Sequence, residues 1–243
     1  MIFSVKSSVG CIREYNQDFY HVPAKDGIPF FMVADGMGGT KGGEIASTVA
    51  VSTAVTFIED NFSGCTDYPL LLRSAVNAAN GAVYRMSRMD TELSRMGTTC
   101  TAALIVDNVV YVAQVGDSRA YILDESGFRQ LTTDHSYVQE LVQAGEITKE
   151  MARLHPDRNK ITRAVGVKGY VSTDINMAIL HNEAILMLCS DGLCTMLPDS
   201  EIEQQLRENS PQKSAEQLVQ LAERAGGFDN ITVIVIKKQQ LNT

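Results

Sequence analysis

Several protein classes are excluded by what this chain lacks. Its five cysteines are an odd, irregularly spaced set in 243 residues, too few for the disulfide framework of a small secreted domain. Cys189 and Cys194 stand nearest to one another, and the four residues between them are a poor zinc spacing. All five are read as buried or incidental thiols, which fits a reducing cytoplasm. The four histidines, His21, His135, His155 and His181, show no metal-ligand spacing either. No basic run exceeds Lys237-Lys238, and a net charge of −8 argues against a nucleic-acid binder. No apolar run approaches the ~18–20 residues of a membrane helix, and Met1–Gly10 has no apolar stretch suited to a signal peptide. Repeats, low-complexity tracts and Pro/Gly/Ser linkers are absent, so residues 1–243 are expected to form a single domain.

What is present reads as alternating blocks of strand and helix. Short strands are expected around Phe3-Val5, around Phe19-Val22 and over Pro29–Ala34. Two helices follow, with Ala46, Val49, Ala50, Thr53 and Phe57 on the face of the first and Leu72, Ala75, Ala79, Ala82 and Met86 on that of the second. Thr99–Val106 and Val109–Val115 flank Asp107-Asn108 as a two-residue hairpin. Ala120–Leu123 and Phe128–Leu131 continue the pattern, and Ala184–Cys189 and Ile231–Ile236 complete it. Ser200 begins a capping box with Glu203, and Ser210-Pro211 opens the last helix, with Ala215, Leu218, Leu221, Ala222 and Ala225 as its stripe. Asp134–Gly166 reads as helical and irregular. Near-continuous apolar strands imply sheets covered on both faces, and hairpins with helices in blocks indicate an α+β layered sandwich.

The informative feature is where the aspartates fall. Phe31–Ala34 runs into Asp35-Gly36, Tyr111–Val115 into Gly116-Asp117, and Leu186–Ser190 into Asp191-Gly192, while Asp229-Asn230 leads into Ile231–Ile236. Four apolar strands thus carry a carboxylate at one end, with few cations nearby in sequence. A carboxylate beside a core strand is costly unless solvated, paired or metal-bound. A single Asp-Gly is an ordinary turn dipeptide; the set is the argument. If the four converge, all-oxygen ligands select a hard ion, Mg²⁺ or Mn²⁺.

Seven segments, in order, span nearly the whole chain: Arg13-x-x-Asn16-x-Asp18, Asp35-Gly36-Met37-Gly38-Gly39, Gly97-Thr98-Thr99, Gly116-Asp117-Ser118-Arg119, Asp134-His135-Ser136, Asp191-Gly192 and Asp229-Asn230-Ile231-Thr232. Together they resemble the metal-dependent protein phosphatase family PPM, or protein phosphatase 2C, in its compact bacterial form. The resemblance implies a four-layer αββα sandwich, two antiparallel sheets flanked by helix pairs, with a flap at about 136–165. It implies a cytoplasmic signalling hydrolase: a serine/threonine phosphoprotein phosphatase using a metal-activated bridging water on phosphomonoesters. Asp35 would bridge two Mn²⁺ or Mg²⁺ ions about 3.5–4 Å apart, and Gly36 would lend one of them its carbonyl. Asp191 and Asp229 would bind the other, and Asp117 would serve a third, weaker site. Asp18 would hold metal-bound water, Asn230 would support the site from behind the ligands, and Arg13 would receive the substrate phosphate. Phosphoserine and phosphothreonine proteins would be the substrates and a Ser/Thr kinase a partner, with no nucleic acid or membrane involved and a monomer as default.

Two positions depart from common family patterns. Met37 stands where many eukaryotic members have a histidine proposed as the acid, and methionine donates no proton. Thr40 stands where bacterial members often have histidine. Rival chemistries fit less well: no arginine lies six residues after any cysteine, and neither Ser118 nor Ser190 sits in Gly-x-Ser-x-Gly. A catalytically silent regulator of the same fold and a phosphodiesterase remain alternatives. Retention of Asp35, Asp191 and Asp229 favours activity over silence.

Overall fold

The structure is a computed structural model that describes residues 1–239; the side chain of Thr40 lies outside the described set. Eleven strands form two sheets, with every pairing antiparallel. The first contains β1 (Ile2–Ser8), β7 (Arg119–Asp124), β8 (Gly127–Gln130), β10 (Ile185–Cys189) and β11 (Ile231–Lys237), in the order β1-β11-β10-β7-β8. The second contains β2 (Asp18–His21), β3 (Phe30–Met37), β5 (Cys100–Val106), β6 (Val109–Val115) and β9 (Asp174–Ile179), in the order β2-β3-β5-β6-β9, with β4 (Gly97–Thr98) on the far end of β3.

Strand alternation divides the apolar residues into three cores. Phe31 and Val33 point between the sheets, where they meet Leu186, Leu188, Ile234 and Ile236. Phe30, Met32 and Ala34 point outward under α1 (Gly39–Asn61) and α2 (Tyr68–Met89). Met187, Val233 and Val235 point the other way, under α6 (Asp199–Glu208) and α7 (Pro211–Arg224). The result is the expected αββα layering, and both sheets are apolar on both faces because both faces are covered. All five cysteines are free thiols, three of them buried. No helix among the described residues is long and apolar enough to cross a membrane.

Local signals worked where the chemistry was local. Asp107 adopts the left-handed backbone of the hairpin turn between β5 and β6, and Ser210 accepts from Lys213 N–H at the start of α7. Other readings shift. The α2 stripe is Leu72, Ala75, Val76, Ala79 and Val83, while Met86 faces solvent. α6 begins at Asp199, so Ser200 lies inside the helix, and the first turn hangs from the Pro198 carbonyl. β9 had no counterpart in the sequence reading. It is an edge strand in which Ile175, Met177 and Ile179 alternate with Asn176 and Ala178, yet Met177 and Ile179 are exposed, so the apolar side of the alternation does not mark a buried face.

Candidate metal centre

The two sheets bring the separated aspartates to one end of the sandwich. β2 and β3 pair with Asp18 opposite Asp35, and β3 continues through Asp35 and Gly36. Asp191 opens a single-turn helix, α5 (Asp191–Cys194), directly after β10, and Asp229 precedes β11 beside it. Asp117 lies in the turn between β6 and β7. Arg13, Asp35, Gly36, Asp117, Asp191 and Asp229 all line one cleft of about 680 Å³, as does Asn230. Asp18 lies buried beneath it.

The motif residues without an assigned role turn out to brace this cluster. Asp35 N–H donates to Thr99 Oγ1 at 2.9 Å, and the Asp35 carbonyl accepts from Thr98 Oγ1 and Thr99 N–H, each at 2.9 Å. Thr99 Oγ1 and Ser118 Oγ lie 2.7 Å apart, tying the Asp35 segment to that of Asp117. His135 Nδ1 accepts from Gly116 N–H at 3.1 Å, which leaves the proton on Nε2 to donate to Asp174 Oδ2 at 3.1 Å. Ser190 Oγ donates to Asp18 Oδ2 at 2.7 Å and accepts from Thr232 N–H at 2.9 Å. Asn230 accepts from Gln17 N–H and donates to the carbonyls of Val9 and Tyr15, at 2.8, 2.9 and 3.0 Å, so it knits the loop carrying Arg13 to that carrying Asp229.

Glycine is required where these segments cross. A Cβ on Gly36 would overlap the Gly43 carbonyl and stand 2.7 Å from that of Gln17. The sequence reading found few nearby cations for the aspartates; the fold supplies one. Arg13 Nη2 donates to Asp229 Oδ2 at 2.8 Å across 216 residues of chain.

Among the described residues, none of the remaining four carboxylates is held in an ion pair. Burial raises Asp18 to about 7, with Asp191 and Asp229 adding to the rise against hydrogen bonds from Ser190 and Thr232. Burial likewise pushes Asp35 well above the carboxylate range, and Asp18, Asp191, Asp117 and Asp229 add to it. Asp117 is raised well above that range, by burial first and then by Asp191, and Asp191 is raised by burial and then by Asp229. Asp18 Oδ1 and Asp191 Oδ1 are buried with no hydrogen-bond partner. Buried like charges with unpartnered oxygens are costly, and a divalent cation removes both costs. Among the described residues no three His, Cys, Asp or Glu side chains stand close enough to cage an ion alone. A hard ion also takes carbonyl and water oxygens, and Asp229 is turned toward Arg13, so the donor set fits ions completed by Gly36 and solvent.

Comparison with known proteins gives the family. The family described as protein phosphatase 2C matches residues 13–228. The serine/threonine phosphatase stp of Listeria welshimeri is 38% identical over 233 residues, covering 94% of this chain and 92% of its own. The crystal structure of the Mycobacterium tuberculosis serine/threonine phosphatase PstP/Ppp superposes with a TM-score of 0.90 at 35% identity, over 98% of this chain and 99% of that one. The catalytic domain of PstP in complex with two manganese ions gives 0.86 at 33% identity, over 96% of each chain. With the match running from Arg13 to Phe228 and the relatives aligning almost end to end, this chain belongs to the protein phosphatase 2C family of metal-dependent serine/threonine phosphatases.

Proposed function

We propose that this cleft hydrolyses phosphoserine and phosphothreonine monoesters in proteins, with Asp35, the Gly36 carbonyl, Asp191 and Asp229 holding two Mn²⁺ or Mg²⁺ ions. Asp117 belongs to a third, weaker site. The observation that carries the reading is the convergence of buried Asp18 and Asp117 with half-buried Asp35, Asp191 and Asp229, two of them with unpartnered oxygens, at a cleft where Arg13 is the one lysine or arginine among the described lining residues. When bound, the ions supply Lewis acidity toward the phosphoryl group and activate water at neutral pH.

The chain's own residues bind and orient around that chemistry. Arg13 directs its planar fork at the phosphoryl oxygens, and its bond to Asp229 fixes the guanidinium at the cleft. Asp18, aimed by Ser190 from beneath the cleft, would orient water at the cleft floor. Asn230 keeps the Arg13 loop docked. Met37 lines the cleft as packing, with no proton to give. Residues 136–165 form the flap: bridges Thr98–Val165 and Ser136–Ile161 pin its base, and Asn159 and Ile161 reach the cleft. It shapes substrate choice. A Ser/Thr kinase as opposing partner, a cytoplasmic location and a monomer belong to the same proposal; the relatives' serine/threonine phosphatase names support the first.

The test is p-nitrophenyl phosphate hydrolysis with Mn²⁺. Turnover is expected to require the metal, to vanish with chelator and to spare the bis-aryl diester. An inert protein would favour the silent-regulator alternative, and diester cleavage the phosphodiesterase. Replacing Arg13 with alanine is expected to raise KM for the monoester about tenfold or more, the scale of one charge-assisted hydrogen bond. Arg13→Lys should recover only part of this, because an ammonium has no fork. Wild-type KM in Arg13→Ala would remove Arg13 from the phosphate site.

A further inference from the structure

Beside the metal cleft lies a second cavity, of about 470 Å³. Asp117 and Asp191 line both, so the two spaces meet at the carboxylate cluster. One wall of the second cavity comes from the flap helix α4 (Lys149–Leu154) and the loop after it, which contribute Lys149, Arg153 and Arg158. All three are exposed, and among the described residues none is held in an ion pair.

The acidic groups on the same walls are mostly committed elsewhere. Asp134 grips the Arg119 guanidinium, accepting from Nε at 2.9 Å and from Nη2 at 2.6 Å. Asp199 accepts from the Tyr121 hydroxyl at 3.4 Å. Asp117 and Asp191 face the metal cluster, and Glu150 lies exposed in the first turn of α4. Three unpaired cations, Lys149, Arg153 and Arg158, thus gather on the flap wall against that wall's single acid among the described lining residues, Glu150, in a chain whose net charge is −8. With Asp117 and Asp191 turned to the proposed metals and Asp134 to Arg119, the flap side of the cavity is its cationic side, and a concave wall carrying cations draws anions to it.

We propose that this cavity is a subsite for a second anionic side chain of the phosphoprotein, acidic or phosphorylated, held by Lys149, Arg153 and Arg158. The inference rests on the phosphatase reading of the neighbouring cleft. A cavity of this size is about 10 Å across, and an extended chain advances roughly 3.3–3.6 Å per residue. The second anion therefore sits about three residues from the phosphoryl group being cleaved. Single exposed charge pairs contribute little; three cations converging on one group, near a low-dielectric wall, contribute together.

Phosphothreonine peptides differing at one position, three residues to either side, carry alanine, glutamate or a second phosphothreonine there. Wild-type kcat/KM is expected to rise tenfold or more from alanine to the charged peptides, most for the doubly charged phosphate, and the preference should shrink with added salt. In the triple variant Lys149→Gln, Arg153→Gln, Arg158→Gln the ratio should fall below twofold. Turnover of p-nitrophenyl phosphate, too small to reach the second cavity, should fall less than threefold. A wild-type ratio near one, or a ratio that survives in the triple variant, overturns the subsite. Should the triple variant lose aryl-phosphate turnover too, Arg153→Glu read against a lysine-bearing peptide decides: a reversed preference supports the subsite and an unreversed one overturns it. Wild type inert toward aryl phosphate would instead sink the hydrolytic reading, and fluorescence anisotropy with the same peptides would then judge the subsite by the same ratios.

Discussion

Asp35→Asn is expected to lower monoester turnover by two orders of magnitude or more while making the metal-free protein harder to melt. Both effects follow from one arrangement. Asp35 is held well above its ordinary pKa by burial and by four neighbouring aspartates, so without metal the folded protein favours its neutral form. A raised carboxylate pKa means the folded state binds more protons than the unfolded one. Its contribution is therefore destabilising as pH rises from the unfolded value near 4 toward the raised folded value. For Asp18 that window ends at about 7. Asparagine does not ionise, so the variant escapes this loss. With chelator present, its melting temperature should exceed wild type by about 2–4 °C for each ~1 kcal/mol relieved in a chain of this size. The gap should widen from pH 4.5 to pH 7. Added Mn²⁺ should raise the wild-type melting temperature strongly and that of the variant much less, because an amide is a poor ligand for a hard ion. Asp191→Asn and Asp229→Asn should show the same loss of turnover. Melts in which metal-free Asp35→Asn is the weaker protein, or rates near wild type, would contradict the cluster as described.

Gly192→Ala is expected to cost about 100-fold in turnover without altering any group that touches substrate or metal. An added Cβ would fall inside the Asn230 carbonyl and 3.0 Å from its carbon. Both are backbone atoms, so no rotamer change makes room. Gly192 follows Asp191, and Asn230 follows Asp229, so the close crossing sets the spacing of two proposed metal-binding carboxylates. Displacing reacting groups by about 1 Å is enough for a hundredfold loss, and overpacking of this kind costs about 1–3 kcal/mol of stability. Gly169→Ala is the control. Its nearest neighbour would be the Tyr84 ring at 3.6 Å, an ordinary contact, and melting and turnover should stay near wild type. Equal behaviour of the two variants in melts and monoester assays would mean that the crossing does not position the site.

Much of the site could be read before any coordinates, for a specific reason. Asp35, Asp117, Asp191 and Asp229 each adjoin an apolar strand, and strand identity depends on residues two apart. The ordered motifs then carried the family. The bracing network could not be read the same way. Thr98 and Thr99 fasten the Asp35 backbone from 63 and 64 residues away, and Ser190 orients Asp18 from 172. Nothing in the neighbourhood of any of them encodes the partner. His135 showed no ligand spacing and is a brace for Gly116, yet its motif gave no hint of that task. β9 is six residues long and sits at a sheet edge with Met177 and Ile179 exposed, so its short alternation does not mark a buried face.

The sequence by itself determined most of the strands and helices, that both sheets are covered, and that carboxylates terminate the core strands. Those properties depend on periodicity and composition within a dozen residues. Only the tertiary structure decided that Asp229 faces Arg13, that Asp18 lies beneath the cleft rather than in its wall, and that flap cations face a second cavity. Those relations depend on which strands become neighbours in the order β1-β11-β10-β7-β8 and β2-β3-β5-β6-β9. Strand order is selected by burial of whole faces, a property of the assembled chain that no short stretch carries.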